Sequence, residues 1–253
     1  DVEYNPAADF DNDGDVDLGD WGVFGSAFGS VCVRQMYAYD YRNQLVGLTV
    51  TAGQDVIRTA AYQYDAFNRR ILRVVDFDGN GLVDPGDEYS RYVYGGAALW
   101  QQLEVYDIDT LGNEHIVSSA VYGRGIDEII QQRNDEDDNG DPEADYYYHQ
   151  DDMYTVYAIT DSSGAVVERY DWGDYGKLLS ARNGDDSVRN LMNIYEPNDP
   201  SKGSVIRSRM GFTGRVLDPE AGLIDLRNRQ MKPESGVFMQ RDPLGYVDGP
   251  NLY

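Results

Sequence analysis

The sequence predicts a mainly β protein, an antiparallel sheet of short hairpins preceded by a short N-terminal loop and helix of different character. Three observations predict it: aromatic residues that alternate with period two, turn-forming residues at close intervals, and an internal repeat. Tyrosine carries the first. The chain holds 21 Tyr against 7 Phe and 3 Trp. Tyrosine suits a half-buried strand, with its ring packed and its hydroxyl wet.

Strands are legible in chain order. Met36–Tyr41, Ala61–Asp65 and Arg91–Tyr94 alternate aromatic and polar residues. Tyr154–Thr160 and Ala165–Trp172 read as two strands of one hairpin. The intervening Asp161–Gly164 is its loop, with Gly164 supplying the positive φ such loops need. Asn134–Asp145 and Asn183–Ser204 are polar excursions of the kind usually found as solvated loops.

The repeat orders these strands. Tyr37-x-Tyr39-Asp40 is followed by Asn43 and Leu45, and Tyr62-x-Tyr64-Asp65 by Asn68 and Arg69. Tyr170-x-Trp172 is followed by Gly176, Lys177 and Leu178. Each unit places two aromatics on one sheet face and ends on a turn, which the aspartate is expected to cap through its side chain.

Charge and composition exclude several functions. The formal net charge is −24. Such a surface repels phosphate backbones and no basic stripe interrupts it, so nucleic acid is not an expected partner. No apolar run approaches the roughly 20 residues of a membrane span. The lone cysteine, Cys32, allows no internal disulfide and reads as a buried small hydrophobe. His115 and His149 stand in no Ser-His-Asp or Cys-His context. Trp100, Trp172 and Tyr146–Tyr148 could act as stacking platforms for a glycan, but read first as packed strand residues.

Acidic residues at metal-ligand spacing are more specific. Asp9, Asp11, Asp13, Asp17 and Asp20 occupy positions 1, 3, 5, 9 and 12 of a calcium loop of about twelve residues, and Gly14 takes the turn position. Asp15 would offer its carbonyl. A short helix follows, with Trp21, Phe24 and Phe28 on one face. Asp76, Asp78, Asn80, Asp84 and Asp87 repeat the pattern, with Gly81 at the turn and Leu82 offering a carbonyl. Calcium requires about six to eight hard oxygens, which this spacing supplies. The second loop is expected to cap a hairpin between Arg70–Val75 and Tyr89–Tyr94. A third run, Asp135, Asp137, Asn139 and Gly140, is poorer, because its twelfth position is Tyr146.

The repeat units resemble the tyrosine-aspartate (YD) repeat of the RHS family. The tail carries the more specific resemblance: Gly211-Phe-Thr-Gly-Arg-Val-Leu-Asp-Pro-Glu-Ala-Gly-Leu223, then Leu226–Gln230, then Phe238–Tyr253 with Asp242-Pro-Leu-Gly245. This segment is similar to the RHS-associated core that ends such repeat arrays. The resemblance implies a spiralling antiparallel sheet that forms a hollow shell, in many members around a toxin. It also implies that Asp242 belongs to an aspartyl-type self-cleavage motif whose second aspartate lies beyond Tyr253. The chain departs from the family where Tyr148–Tyr154 lacks a Gly-Ser pair. The first loop with its helix is similar to half of a dockerin. A dockerin pairs two such loops closely, which argues against a cohesin partner here.

Residues 1–30 are therefore expected to form a calcium loop and helix. Residues 31–253 are expected to form a YD-repeat β region, with the core at about 205–253. The first functional reading is an extracellular, calcium-stabilised structural module of a wall, shell or fibre that self-associates or continues a longer chain. The alternatives are part of a toxin-enclosing shell with aspartyl self-cleavage, and a surface- or carbohydrate-binding adhesin. Catalysis, if any, would be autoproteolytic. The expected location is secreted or at the cell surface.

Overall fold

A computed structural model describes residues 33–96, 99–137, 139–188, 204 and 206–247. The first calcium loop, its helix and Cys32 lie outside the described residues. Two antiparallel sheets account for the regular structure. The larger has twelve strands in strict chain order, each paired to the next. They are β1 (Val33–Tyr39), β2 (Leu45–Ala52), β3 (Asp55–Tyr64), β4 (Arg70–Asp76), β5 (Glu88–Gly95), β6 (Gln101–Ile108), β7 (Glu114–Tyr122), β8 (Ile129–Asn134), β9 (Ala144–Gln150), β10 (Val156–Asp161), β11 (Val166–Trp172) and β12 (Leu178–Asn183). The tail forms a four-stranded sheet of β13 (Val216–Asp218), β14 (Leu223–Asp225), β15 (Gln230–Lys232) and β16 (Val237–Phe238). Among the described residues, helix is confined to single 3-10 turns at Phe212–Gly214 and Gly245–Val247. The mainly β, hairpin-built expectation is met, and so are the hairpins at Asp161–Gly164 and around the second acidic loop.

The aspartate turns explain why the chain reverses where it does. Asp40 Oδ1 accepts the backbone N–H of Arg42 at 2.9 Å and of Gln44 at 2.8 Å. Asp65 Oδ1 does the same for Phe67 and Arg69, at 2.8 and 3.0 Å. Each turn also needs a left-handed residue three positions after the aspartate, supplied by Asn43 (φ 63°) and Asn68 (φ 66°). Units less legible in sequence share this chemistry. Asp109 caps Leu111 and Asn113, Asp151 caps Met153 and Thr155, and Asp161 caps Ser163 and Ala165. In the Asp151 turn, where the family-like Gly-Ser is missing, Tyr154 itself takes the left-handed conformation at φ 64°.

A register shift precedes the Asp40 and Asp65 turns and also the turns after β5, β7 and β11. It falls at Ala38/Tyr39, Gln63/Tyr64, Val93/Tyr94, Val121/Tyr122 and Asp171/Trp172, so the bulge sits at the last aromatic before the turn. A bulge bends its strand and increases the local twist. Shifts at Val50/Thr51, Val105/Tyr106 and Ile159/Thr160 do the same near the opposite rim, and the tail packs against one face of the bent sheet. Two apolar clusters lie there. One joins Leu45, Leu48, Val50, Tyr62 and Val75 of the sheet to Ala221 and Leu223 of the tail. The other joins Ile129, Tyr146, Tyr148, Val156 and Ile159 to Ile206. Tyr146 and Tyr148 are therefore packed strand residues, as is Trp172, whose Nε1 donates to the Val156 carbonyl at 2.7 Å. Tyr147, between them, points the other way and is 37% exposed.

Removing one turn cap tests this account. Asp65→Ala deletes the acceptor of two backbone N–H groups and the partner of Arg69. A loss of about 1–2 kcal/mol is expected by analogy with other side-chain caps, measured by urea unfolding, with the slope of the transition unchanged.

Candidate functional site

The tail is tied to the sheet by buried charges. A bulge in β4 arranges this: Tyr64 pairs with Arg70 but Gln63 pairs with Leu72, so Ile71 is extra. The extra residue re-phases the strand, and Arg70 and Arg73 both turn inward, at 4% and 1% exposure. Glu220 of the tail, between β13 and β14, meets Arg73 through two parallel bonds of 2.9 Å, from Nε and Nη2. The Tyr62 hydroxyl donates to Glu220 at 2.8 Å and Arg209 Nη2 at 3.0 Å. Arg73 Nη1 also bonds Glu88. Asp218 receives Arg70 Nη2 at 2.6 Å, and Asp225 lies 3.2 Å from Arg70. Arg70 further stacks over the Tyr62 ring, 4.4 Å from its centroid.

These groups do not titrate alike. Burial drives the Glu220 carboxyl upward, but the Arg73, Arg209 and Arg70 guanidiniums outweigh it and hold the group well below its ordinary range. Burial raises Asp218, and Arg70 only partly offsets it. Beside this network the sheet and tail leave a cavity of about 340 Å³, with Arg73, Asp107, Gln132 and Ser208 among its lining. The Asp107 carboxyl there is raised by burial and by Glu88, although Arg207 lies 3.7 Å away.

The acidic loops stand elsewhere. Because the strands alternate in direction, the β4–β5 and β8–β9 connections fall on one rim, and the Asp40, Asp65 and Asp151 turns on the other. In the β4–β5 loop Asp76 is 4% exposed, and its two oxygens accept Gly79 N–H at 2.6 Å and Gly81 N–H at 2.8 Å. Burial opposes its ionisation, but these N–H groups hold it below the usual carboxylate range. Gly81, at the expected turn position, has φ 80°. Asp87 closes the loop, accepting Phe77 N–H at 2.9 Å and Asp84 N–H at 3.0 Å. The Asn80 side-chain amide bridges Asp78 at 3.0 Å and Asp84 at 2.9 Å. Leu82 is exposed. The donor set is all oxygen, the type calcium takes, but Asp76, Asp78, Asp84 and Asp87 do not bring three carboxylate oxygens within 4.8 Å of one another.

The third acidic run holds a surprise. Asp135, Asp137 and Glu143 bring carboxylate oxygens within 4.8 Å of one another, and they are the group of three that does so among the described residues. Glu143 lies at the ninth position, not the twelfth. Tyr146, at the twelfth, instead packs in the core and donates its hydroxyl to Glu136. Asp9, Asp11, Asp13, Asp15, Asp17 and Asp20 lie outside the described residues.

Asp242 forms a turn. Its Oδ1 accepts Leu244 N–H at 2.8 Å, its carbonyl accepts Gly245 N–H at 3.0 Å, and its Oδ2 lies 3.1 Å from Arg229. His149 bonds Thr160 at 3.0 Å, and His115 lies 3.7 Å from Asp109. Sequence reasoning missed the Arg70, Arg73, Glu220 and Asp218 network. A strict period of two sends Arg70 and Arg73 to opposite faces, and only the bulge unites them.

Comparison with known proteins places this architecture. No family model matches the chain. A tRNA3(Ser)-specific nuclease, WapA, of Bacillus spizizenii is 27% identical over 216 residues, covering 85% of this chain and 7% of the relative. The toxin protein Tse5 of Pseudomonas aeruginosa is 26% identical over 237 residues, covering 87% of this chain and 16% of the relative. The chain thus spans a small fraction of the curated relatives it matches. A crystal structure of TcdB2–TccC3 superposes with a TM-score of 0.60 at 17% identity, over 87% of this chain and 10% of that one. These relatives support an RHS-type relationship and give the same fold. Neither the dockerin likeness nor a filament finds support among them.

The clasp generates a prediction with a sign. A depressed carboxyl contributes stability that is fully present above its unfolded value and is lost as pH falls towards the folded one. Glu220→Gln should lower stability by about 3–5 kcal/mol at neutral pH. The gap between wild type and variant should narrow progressively below pH 4.5, the ordinary value for this carboxyl. Denaturant unfolding of both proteins across pH 3–7 measures it (the difference cancels the effect of overall charge).

Proposed function

We propose that this chain is a wall segment of a toxin-enclosing, RHS-type shell, secreted or at the cell surface, with its tail packed on the inner face of the wall. The observation that carries this reading is the continuous sheet of hairpins, curled by its bulges, with the tail clasped to one face through Glu220 and Asp218. The likeness to WapA, Tse5 and TcdB2–TccC3 favours the shell over the free-standing wall or fibre module. In this reading the chain's own residues are scaffold, and any toxic activity belongs to a cargo.

The sheet is built to continue. Among the described residues β1 is an edge strand, with Val33 and Met36 60% and 47% exposed. An open edge pairs with further strands unless it is blocked. Its partner is more chain of the same kind, covalent or supplied by a neighbour. Electron microscopy of the purified chain tests this reading. Curved sheets or ring-like particles are expected. Straight filaments would support the fibre reading instead, and a monodisperse monomer at high concentration in millimolar calcium would contradict both.

Calcium is the second part of the proposal. Asp76, Asp78, Asn80, Asp84 and Asp87, with the Leu82 carbonyl, would hold one ion and stiffen the β4–β5 hairpin; Asp9–Asp20 would hold another. Bound calcium would take over the bridging of Asp78 and Asp84 and offset part of the mutual repulsion on this rim. At free calcium about 100 times the dissociation constant, one site adds about 2.7 kcal/mol. Excess chelator should therefore lower the melting temperature, and Asp76→Ala should remove part of the calcium response. An unchanged melt in chelator argues against the site.

A further inference from the structure

A small cavity of about 50 Å³ lies where the tail turn between β14 and β15 meets the sheet rim. Arg70, Arg215, Arg227, Asp127, Asp225 and Trp100 are among its lining. Arg215 and Arg227 both rest on Asp127, at 3.2 and 2.5 Å, so one carboxylate serves two guanidiniums. Arg227 also lies 5.8 Å from the centroid of the Trp100 ring. Across the cavity Arg70 has two carboxylates, Asp218 and Asp225, and Arg69 has Asp65. Positive and negative groups balance in number but not in place. The surplus of positive charge sits with Arg215 and Arg227.

Two donors are left over. Arg70 Nε and Arg215 Nε are buried and have no hydrogen-bond partner among the described residues. Buried N–H groups in native proteins nearly always find an acceptor. Among the buried side-chain atoms of the described residues, no acceptor in this lining lacks a partner. Asp127 and Asp225 line it too, but both are engaged by guanidiniums. A water needs about 10–15 Å³ and partners for its own hydrogens as well as for its oxygen. A small anion needs only donors and positive charge, which is what the cavity offers. Burial lowers the Arg215 pKa, and Arg227 adds to this against the pull of Asp127 and Asp225. A further negative charge would relieve that strain.

We propose that this cavity is a site for one small monovalent anion, of halide or carboxylate size, held by Arg215 and Arg70 at the junction of tail and rim. The ion locks the β14–β15 turn against the β3–β4, β5–β6 and β7–β8 turns.

Thermal unfolding in sodium chloride, bromide, acetate and gluconate at equal ionic strength tests the proposal on the unmodified chain. Melting temperatures a few degrees higher in chloride and bromide than in gluconate, with saturation, are expected for a halide site. A rise in acetate alone assigns the site to a carboxylate. Crystals grown in bromide should show an anomalous peak in the cavity if the occupant is a halide. Arg215→Gln should abolish the difference between salts. Equal melts in all four salts overturn the proposal, as does ordered water alone in the cavity or bromide bound only at the surface; these outcomes need no variant.

Discussion

The bidentate pair between Glu220 and Arg73 is the contact on which the rest of the arrangement depends. It joins a tail residue to the fourth strand of the sheet across 147 positions of sequence. Both groups are almost wholly removed from water. Burying one of them alone is strongly unfavourable, whereas the pair, with Tyr62, Arg209 and Glu88 around it, satisfies its donors and acceptors. Such a network adds modest net stability but strong discrimination. Any other seating of the tail leaves a buried charge without its partner. The Arg70 and Asp218 pair repeats the logic one step along the same strand.

That clasp needs a curved surface to receive it, and the curvature comes from the repeat. The turns at Asp40 and Asp65 each use one aspartate and one left-handed residue, and the bulge beside each bends its strand. The acidic composition then has a local purpose. Many of the carboxylates that make the chain so negative are engaged with backbone N–H groups, as Asp40, Asp65, Asp109, Asp151 and Asp161 show. The two acidic loops lie on the opposite rim from the Asp40 and Asp65 turns, four strands apart.

Much of the sheet was legible because its signals are local. Alternating tyrosines, an aspartate with Asn or Gly three residues later, and the calcium-loop spacing all act over a few residues. The hairpin around Asp76–Asp87 and the one around Asp161–Gly164 followed directly. The clasp was not legible, because it depends on a bulge at Ile71 that shifts Arg70 and Arg73 onto one face, and on partners far away in sequence. The converging Asp135, Asp137 and Glu143 were hidden for a related reason: the loop uses its ninth position, whereas calcium-loop spacing calls for a carboxylate at the twelfth. Tyr154 in a left-handed turn also defeats pattern reading, since no composition rule expects a tyrosine there.

A double-mutant cycle between the sheet and the tail tests the central claim most directly. Arg73→Met, Glu220→Met and the double variant would be compared by denaturant unfolding at neutral pH. If the tail is held by this clasp, each single change leaves an uncompensated buried charge and the double change relieves it. The predicted coupling is about 2 kcal/mol or more, with the double variant no less stable than the worse single one. Strict additivity of the two losses would contradict the account.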